Sequence, residues 1–360
     1  LPKFPTPAYP QAKSSAIEVT RRQFPLASAT VTNALIDASL GPNAHYKGWF
    51  VYGTNLPLTI PGIGEKLKQA SDQLELIVVV DVQPAEITGF ADVILPECSY
   101  LERYDFIRNS PEREPALALT MPAFEPLAES KPAWWMAKQL GERLGLGHYF
   151  PWQDYREVID WQLKQVGSSL EEMQKLGVKR FPRKSPLYHA PGQEVIFHTP
   201  SGKVELYSTA LARQGFDPMP KYTPPDKAPD GYLRLNYGRV PAHTFGRTTN
   251  NPLLFELSPE NLLWVNPIVA REQGVRNGEY VRLKNQDGVV SNPVRVRITE
   301  RIRPDSVYLP HGFGHTAKEL RLAFNRGADD TGLITNIKVD PIMGGTGMRA
   351  NFVTLVKENA

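Results

Sequence analysis

The chain has 360 residues, of which 41% are hydrophobic and 22% charged, a composition typical of a globular protein with a large core. Its net charge of +3 is too small for a strong nucleic-acid footprint, and its single cysteine excludes both an intramolecular disulfide and a cysteine-cluster metal site within the chain. The longest apolar run, residues 74–82, is far shorter than the roughly 20 residues that a membrane helix needs.

Apolar patterns in the first half of the chain predict alternating helices and strands. The predicted helices are residues 31–41, 62–73 and 131–147, and the predicted strands are residues 48–55, 74–82 and 91–96. Nearly continuous apolar strands are typical of a parallel sheet that is covered on both faces. We therefore expect a proline-rich entry segment over residues 1–30 and an α/β domain with a Rossmann-like parallel sheet over residues 31–150.

The second half of the chain has a different pattern. Residues 151–230 are expected to form two helices, loops and a linker, and the stretch 215–231 contains five prolines. Residues 231–360 hold short alternating or β-branched runs separated by Gly, Pro and Asn, which predicts an all-β barrel of the double-psi type.

Two sequence positions in the α/β domain are candidates for ligand binding. Asp81 and the turn Gly53-Thr54-Asn55 each follow a predicted strand, and ligands of open α/β folds bind at the carboxyl ends of the strands. Gly53 allows a close backbone approach, and Asp81 can accept hydrogen bonds from a base or a ribose. The alternative is that Asp81 merely caps a turn.

The first barrel strand is followed by a loop, residues 236–248, that contains Arg239, His243, Thr244 and Arg247. Guanidinium forks, an imidazole and a hydroxyl suit phosphate oxygens. A solvated surface loop is the alternative. The motif HGFGH at 311–315 is not a helical metal pair and predicts a turn.

Five ordered motifs resemble the C-terminal half of the molybdopterin oxidoreductases, the dimethyl sulfoxide reductase superfamily. They are FVYGTNLP, LIVVVDVQPAEITGFADVILPECSYLERYD, HTPSGKVELYS, GRVPAHT and VNPIVAREQGVRNGEYVRLKNQDG. Within the superfamily, VILPECSYLERYD and HGFGH are most similar to the catalytic subunits of polysulfide and thiosulfate reductases.

The resemblance implies a cofactor, molybdenum bis(molybdopterin guanine dinucleotide), and assigns residues to it. Asp81 corresponds to a carboxylate that accepts hydrogen bonds from guanine, with Gly53 and Asn55 beside it. Arg239, His243 and Thr244 correspond to contacts with the pterin and the pyrophosphate, and Arg349 to a basic residue near the pterin. No residue of this chain is implied as a catalytic group or a metal ligand.

Two positions depart from the family pattern. Several relatives have a second guanine-facing aspartate where this chain has Ala133. The pterin-contacting asparagine of many relatives has no match in register here, because Asn336 is displaced from it.

The resemblance also implies components that this chain does not supply. The family's N-terminal half carries a 4Fe-4S cluster and a cysteine ligand to molybdenum, whereas Cys98 stands alone here and is expected to be a packing thiol. The chain is therefore expected to be a fragment that is inactive by itself and that joins a missing N-terminal half of the same subunit.

The resemblance implies reduction of polysulfide or thiosulfate by two-electron transfer. It further implies an iron-sulfur electron-transfer subunit, a membrane anchor subunit and a periplasmic location in bacteria. The alternatives are reduction of arsenate, tetrathionate or nitrate, or a cofactor-binding scaffold without catalysis.

Overall fold

The computed structural model describes residues 4–10, 15–110, 113–183, 188, 191–219 and 221–357. The α-helices among these residues are α1 (Ala16–Gln23), α2 (Thr32–Asp37), α3 (Leu56–Thr59), α4 (Gly64–Gln73), α5 (Ala133–Arg143), α6 (Tyr155–Lys164), α7 (Leu170–Leu176), α8 (Thr209–Arg213), α9 (Pro252–Leu257) and α10 (Pro267–Glu272). Short 3-10 helices span Glu86–Phe90, Gly147–Tyr149, Phe245–Arg247 and Thr331–Leu333.

The strands in the described ranges form two larger sheets and two small ones. They are β1 (Gly48–Tyr52), β2 (Leu76–Asp81), β3 (Val93–Pro96), β4 (Arg108–Ser110), β5 (Ala116–Ala118), β6 (Val178–Arg180), β7 (Leu233–Gly238), β8 (Leu262–Val265), β9 (Tyr280–Asn285), β10 (Val294–Ile298), β11 (Ser306–Pro310), β12 (Lys338–Val339), β13 (Thr346–Gly347) and β14 (Phe352–Lys357).

The predicted helices and strands of the first half are confirmed, with shorter bounds. Helices α2, α4 and α5 and strands β1, β2 and β3 all lie inside the stretches whose apolar patterns predicted them. Helix α7 begins at an N-cap, Ser169, whose side chain accepts from the amide of Glu172, and it ends at Gly177 with φ of 66°. Local capping therefore sets the bounds of α7, whereas α2, α4 and α5 begin without a side-chain cap.

The chain divides into two compact units, and each contains discontinuous segments. Unit 1 comprises residues 1–13, 80–83 and 95–220, and unit 2 comprises residues 14–79, 84–94 and 221–360. The predicted domains were continuous segments, and their boundaries stay a prediction.

Unit 2 contains a closed six-stranded barrel in the order β10-β8-β11-β7-β14-β9. The predicted barrel is thus confirmed, although its pairing is mixed, since β7 and β11 are parallel whereas β14 and β9 are antiparallel. Alternate residues point inward, so that Leu235, Leu263 and Leu309 are buried in one apolar core. The double-psi connectivity stays a prediction.

The first sheet has three strands in the order β1-β2-β3. The amide of Asp92 donates to the carbonyl of Ile77, and that of Glu97 donates to Asp81, so β2 and β3 advance in the same direction. Val51, Ile77 and other side chains pack on the apolar face of α4. Because this sheet has three strands, it does not confirm the predicted Rossmann-like arrangement.

Unit 1 contains a small antiparallel sheet, β4-β5-β6, that packs against α6 and α7. Its buried side chains include Leu117, Ile159 and Met173. Cys98 is fully buried, with Sγ 3.8 Å from Oγ of Ser130, and burial raises the pKa of its thiol. This environment fits the expected packing thiol.

No helix in the described residues is long and apolar enough to cross a membrane.

Candidate functional site

Two loops of unit 2 meet at one rim of the barrel because the strands before them are parallel neighbours. Strand β7 ends at Gly238 and β11 at Pro310, and these two residues are paired in register. The amide of His311 continues the ladder by donating to the carbonyl of Gly238 at 2.8 Å, and the Tyr308 hydroxyl donates to the carbonyl of Arg239 at 2.8 Å. Arg239 and His311 therefore leave the barrel side by side.

The glycines of the HGFGH loop permit close backbone packing. Gly312 has a φ of 94°, and a Cβ atom there would overlap backbone atoms of Phe245 and Gly246. Gly314 has a φ of 77°, and its Cβ would overlap the backbone at Asp329. The motif was predicted to be a turn, and the structure adds that it brings the Phe245 loop and the Asp329 loop together at the rim.

Five side chains at this rim are linked by consecutive pairwise contacts, and we name them the rim row: Arg239, Phe245, His311, Tyr237 and Arg349. The Arg239 guanidinium carbon lies 4.8 Å from the Phe245 ring centre, and the Phe245 and His311 ring centres are 5.6 Å apart. On the other side, the His311 and Tyr237 ring centres are 6.4 Å apart, and the Arg349 guanidinium carbon lies 5.7 Å from the Tyr237 ring centre. Each of two exposed guanidinium groups is thus linked to the His311 imidazole through one aromatic ring.

A buried carboxylate lies behind the centre of the rim row. Asp330 is fully buried, and its two oxygens lie 2.9 and 3.0 Å from Nδ1 of His311. Burial alone would lower the pKa of His311, but the hydrogen bond and the negative charge of Asp330 raise it above its ordinary value. The adjacent Asp329 has its pKa raised to about 6, chiefly by burial.

The predicted cofactor residues His243 and Thr244 occupy different environments. His243 is buried, with Nε2 2.8 Å from the carbonyl oxygen of Ser258 and Nδ1 3.3 Å from Oγ1 of Thr248. Both of its ring nitrogens therefore have partners in the chain, which gives it a structural role in the loop. Thr244 is exposed, and its amide donates to Oγ1 of Thr248 at 2.9 Å.

Asn55 belongs to a second buried cluster of unit 2, which we name the Glu86 clamp. Its Nδ2 donates to Oε2 of Glu86 at 2.6 Å, and Nδ1 of His315 lies 3.0 Å from Oε1 of the same carboxylate. The amides of Thr316 and Ala317 donate to Oε1 as well.

The electrostatics of the Glu86 clamp follow from these donors. Burial favours the protonated acid, yet the hydrogen bonds and charge of His315 and the hydrogen bond from Asn55 lower the pKa of Glu86 to about 2. Glu86 is therefore ionised at neutral pH. The clamp fixes the turn after β1 to the loop after β11.

Gly53 is also attached to the rim within unit 2. Its φ is 57°, and its carbonyl oxygen accepts a hydrogen bond from the Arg247 guanidinium. The structure therefore places Gly53, Asn55, Arg239, His243, Thr244 and Arg349 in one compact unit.

Asp81, the predicted guanine-binding residue, belongs to unit 1. It is the last residue of β2 and is partly exposed, and its Oδ1 accepts from the amide of Val82 at 2.7 Å. In the same unit, the amide of Ala133, the first residue of α5, donates to the Glu97 carboxylate at 3.3 Å. The predicted site residues remain predictions as cofactor contacts.

Sequence reasoning did not select several residues of the rim row and the Glu86 clamp, namely Tyr237, Phe245, His311, Asp330, Glu86 and His315. The only local signal was the pair of histidines in HGFGH. Within the described ranges, no group of three or more His, Cys, Asp or Glu side chains could hold a metal ion.

Two protein-family models match this chain, one in its first half and one in its second half. Residues 27–143 match the family described as molybdopterin oxidoreductase, and residues 233–352 match the molydopterin dinucleotide binding domain. The chain belongs to the molybdopterin oxidoreductase family. The second match includes Arg239, His311, Asp330 and Arg349, so the rim row lies in the region that matches the dinucleotide binding domain.

Curated relatives agree with this membership. The thiosulfate reductase molybdopterin-containing subunit PhsA of Salmonella typhimurium is 32% identical over 96% of this chain and 48% of that protein. Acetylene hydratase of Syntrophotalea acetylenica is 28% identical over 74% of the chain and 37% of that protein. The dimethyl sulfoxide reductase DmsA of Escherichia coli is 26% identical over 81% of the chain and 39% of that protein.

The solved structure of acetylene hydratase from Pelobacter acetylenicus covers 96% of the chain and 50% of its own length, with a TM-score of 0.71 and 23% identity. This likeness concerns the fold. The chain thus spans half or less of the length of these relatives.

Proposed function

We propose that this chain binds the dinucleotide tails of molybdenum bis(molybdopterin guanine dinucleotide) in an enzyme that reduces polysulfide or thiosulfate by two-electron transfer. The observation that carries the proposal is the rim row, because two exposed guanidinium groups and an imidazole over a buried carboxylate make a preorganised set of donors for phosphate oxygens.

The residues present fit this cofactor chemically. Arg239 and Arg349 are both exposed and offer planar forks to a pyrophosphate. Asp81, at the end of β2, offers a carboxylate of the kind that accepts from the N–H groups of guanine. Molybdenum, when bound, supplies the electron transfer, whereas these side chains bind and orient the dinucleotides.

We propose that the remaining parts of the enzyme lie outside this chain. The metal ligand and a 4Fe-4S cluster would lie in an N-terminal half of the same subunit, since a cluster needs about four thiolates and this chain has one cysteine. An iron-sulfur subunit and a membrane anchor subunit would deliver electrons at the periplasmic face of the bacterial membrane.

The choice of a sulfur substrate is supported by the thiosulfate reductase subunit, which is 32% identical. Other relatives are named for dimethyl sulfoxide reduction or for acetylene hydration, and they make the substrate a matter for direct assay. Turnover of polysulfide, thiosulfate, tetrathionate, arsenate and nitrate by the intact protein should favour the first two. Faster turnover of any of the others would replace the proposed substrate.

Cofactor content tests the binding role separately from turnover. Acid treatment of the intact protein should release molybdenum and guanosine monophosphate in proportion. Well-folded protein that contains neither would refute the proposal, and protein that contains both without any turnover would point to a scaffold. Asp81→Asn should lower the guanosine monophosphate content, whereas the matched Asp305→Asn, at an exposed aspartate paired with Arg303, should leave it unchanged.

A further inference from the structure

His311 has a hydrogen-bonding arrangement that differs from that of two buried histidines of the same unit, His243 and His315. Nδ1 of His311 is directed at Asp330, while Nε2, on the other side of the ring, has no partner among the residues that the structure describes. By contrast, both ring nitrogens of His243 and of His315 have partners. His311 alone of these three histidines retains a ring nitrogen for a ligand.

The surroundings of His311 favour its charged form. Asp330 is fully buried, and its carboxyl oxygens lie 2.9 and 3.0 Å from Nδ1 of His311, an arrangement that stabilises an imidazolium. Asp329 adds a further acidic group to the same loop, and its charge and that of Asp330 both raise the pKa of His311. The hydroxyl groups nearby, on Tyr237 and Tyr308, have their pKa values raised chiefly by burial and stay neutral near pH 7.

The position of His311 in the rim row defines what it can contact. It is central, with Arg239 beyond one aromatic neighbour and Arg349 beyond the other. Its side chain is only 13% exposed, so a hydrogen bond from Nε2 would be partly shielded from water and stronger than one at the surface.

We propose that His311, oriented by Asp330, is a binding residue whose Nε2–H donates to a phosphate oxygen of a dinucleoside pyrophosphate held between Arg239 and Arg349. This inference rests on the proposed function and deepens it, because it names the central donor and makes binding depend on one proton. The imidazole donates from Nε2 only when it is protonated, since Asp330 holds the other ring proton on Nδ1. Deprotonation converts Nε2 from a donor into an acceptor, which repels phosphate oxygens.

Diguanosine pyrophosphate is a suitable probe, because its phosphate diesters keep the same charge across the pH range of histidine. Calorimetric titration of the chain at constant ionic strength should give a dissociation constant about tenfold larger at about pH 8.5 than at about pH 6. His311→Gln should show the weaker binding at both pH values. In Asp330→Asn, the loss of affinity should occur at lower pH than in the wild type, because the variant lacks the charge that favours the imidazolium form of His311.

His148→Gln is the matched control, because His148 is a histidine of unit 1 that stacks on Tyr149, and it should retain the pH dependence of the wild type. Circular dichroism establishes that each variant is folded. A further variant, His311→Lys, keeps a positive charge at both pH values and should therefore bind the probe with little pH dependence. Binding that is absent, or that depends on pH equally in the wild type and in His311→Gln, would overturn the inference. The proposed cofactor role would then still be decided by the molybdenum and guanosine monophosphate content.

Discussion

Nδ1 of His315 lies 3.0 Å from Oε1 of Glu86, although 229 residues separate the two along the chain. Both side chains are nearly inaccessible, with 2% and 8% exposure. The carboxylate also accepts from Asn55 and from two backbone amides of the loop after β11. One buried charge therefore joins the turn that follows the first strand of the chain to the rim of the barrel.

Replacing Glu86 by Gln should destabilise unit 2. Glutamine has one acceptor oxygen in place of two, so at least one of the buried donors that bind Glu86 loses its acceptor, at a cost of about 1–3 kcal/mol. Denaturant unfolding followed by fluorescence measures the difference. Glu75→Gln is the control, since Glu75 pairs with Lys47 at the surface and its loss should change the free energy of unfolding by less than about 1 kcal/mol. Equal effects of the two substitutions would contradict the role of the clamp.

The effect of Glu86→Gln should also depend on pH. The folded-state pKa of Glu86 is lowered to about 2 from an ordinary value of 4.5, so its stabilisation is complete above pH 4.5 and is lost as the pH falls towards 2. The difference in unfolding free energy between wild type and variant should therefore narrow on acidification below about pH 4.5. A difference that is constant over this range would show that the carboxylate charge contributes nothing.

Asp329→Asn should show the opposite pH dependence. Burial raises the pKa of Asp329 to about 6 from 3.8, so the folded state binds the proton more tightly, and stability falls as the pH rises from about 4 to about 6. The asparagine keeps an acceptor for the Thr331 amide but has no charge to bury. Relative to the wild type, the variant should gain up to about 3 kcal/mol between pH 4 and pH 7 in equilibrium unfolding.

Asp305→Asn provides a control without this pH dependence. The hydrogen bond from Arg303 lowers the pKa of Asp305 below its ordinary value of 3.8, so its contribution to stability changes only below about pH 4 and the difference between this variant and the wild type should stay constant from pH 4 to pH 7. A gain by both variants would mean that burial of Asp329 is not the cause.

Gly312→Ala should separate a steric clash from the cost of a left-handed backbone. A Cβ at Gly312 would overlap the backbone of Phe245 and Gly246, whereas one at Gly278, whose φ is 83°, would meet no atom within 4 Å. Gly278→Ala should therefore cost only the backbone term of about 1–2 kcal/mol. Gly312→Ala should cost a further 1–3 kcal/mol or so, because the two loops must move apart. Thermal unfolding of both variants gives the comparison, and equal losses would mean that the loops have room to adjust.

Arg239→Gln and Arg349→Gln should each weaken cofactor retention by about tenfold, because each removes charge-assisted donors to phosphate. Arg297→Gln is the matched control, because Arg297 also stacks on an aromatic ring, that of Trp264, but lies outside the rim row. Molybdenum and guanosine monophosphate contents of the three purified variants provide the measurement. If the control lost as much cofactor as the other two, a general effect of surface charge would explain the result.

Local patterns in the sequence were sufficient to predict the regular elements. Residues 77–80 are continuously apolar because both faces of β2 are covered there, and the barrel strands alternate because only one face is inside. Cys98 proved to be buried, as its isolation suggested. These features depend on residues that are close in sequence.

The sites could be predicted only in part, because their geometry depends on distant residues. Arg239 was selected by its side-chain chemistry and Arg349 by the family resemblance, and both belong to the rim row. His243 was selected by the same reasoning, yet its ring nitrogens bind within its own loop. Glu86 has no local signal, since its partners lie 31 and 229 residues away.

The Glu86 clamp has a practical consequence for dividing the chain into expression segments. The barrel begins near Leu233, and a segment starting there would resemble an independent module. Such a segment would retain His315 and the amides of Thr316 and Ala317 but would lose the anion that all three bind. Truncation would thus leave these three donors without their acceptor, and we expect a soluble barrel to require residues 14–94 on the same polypeptide or supplied in trans.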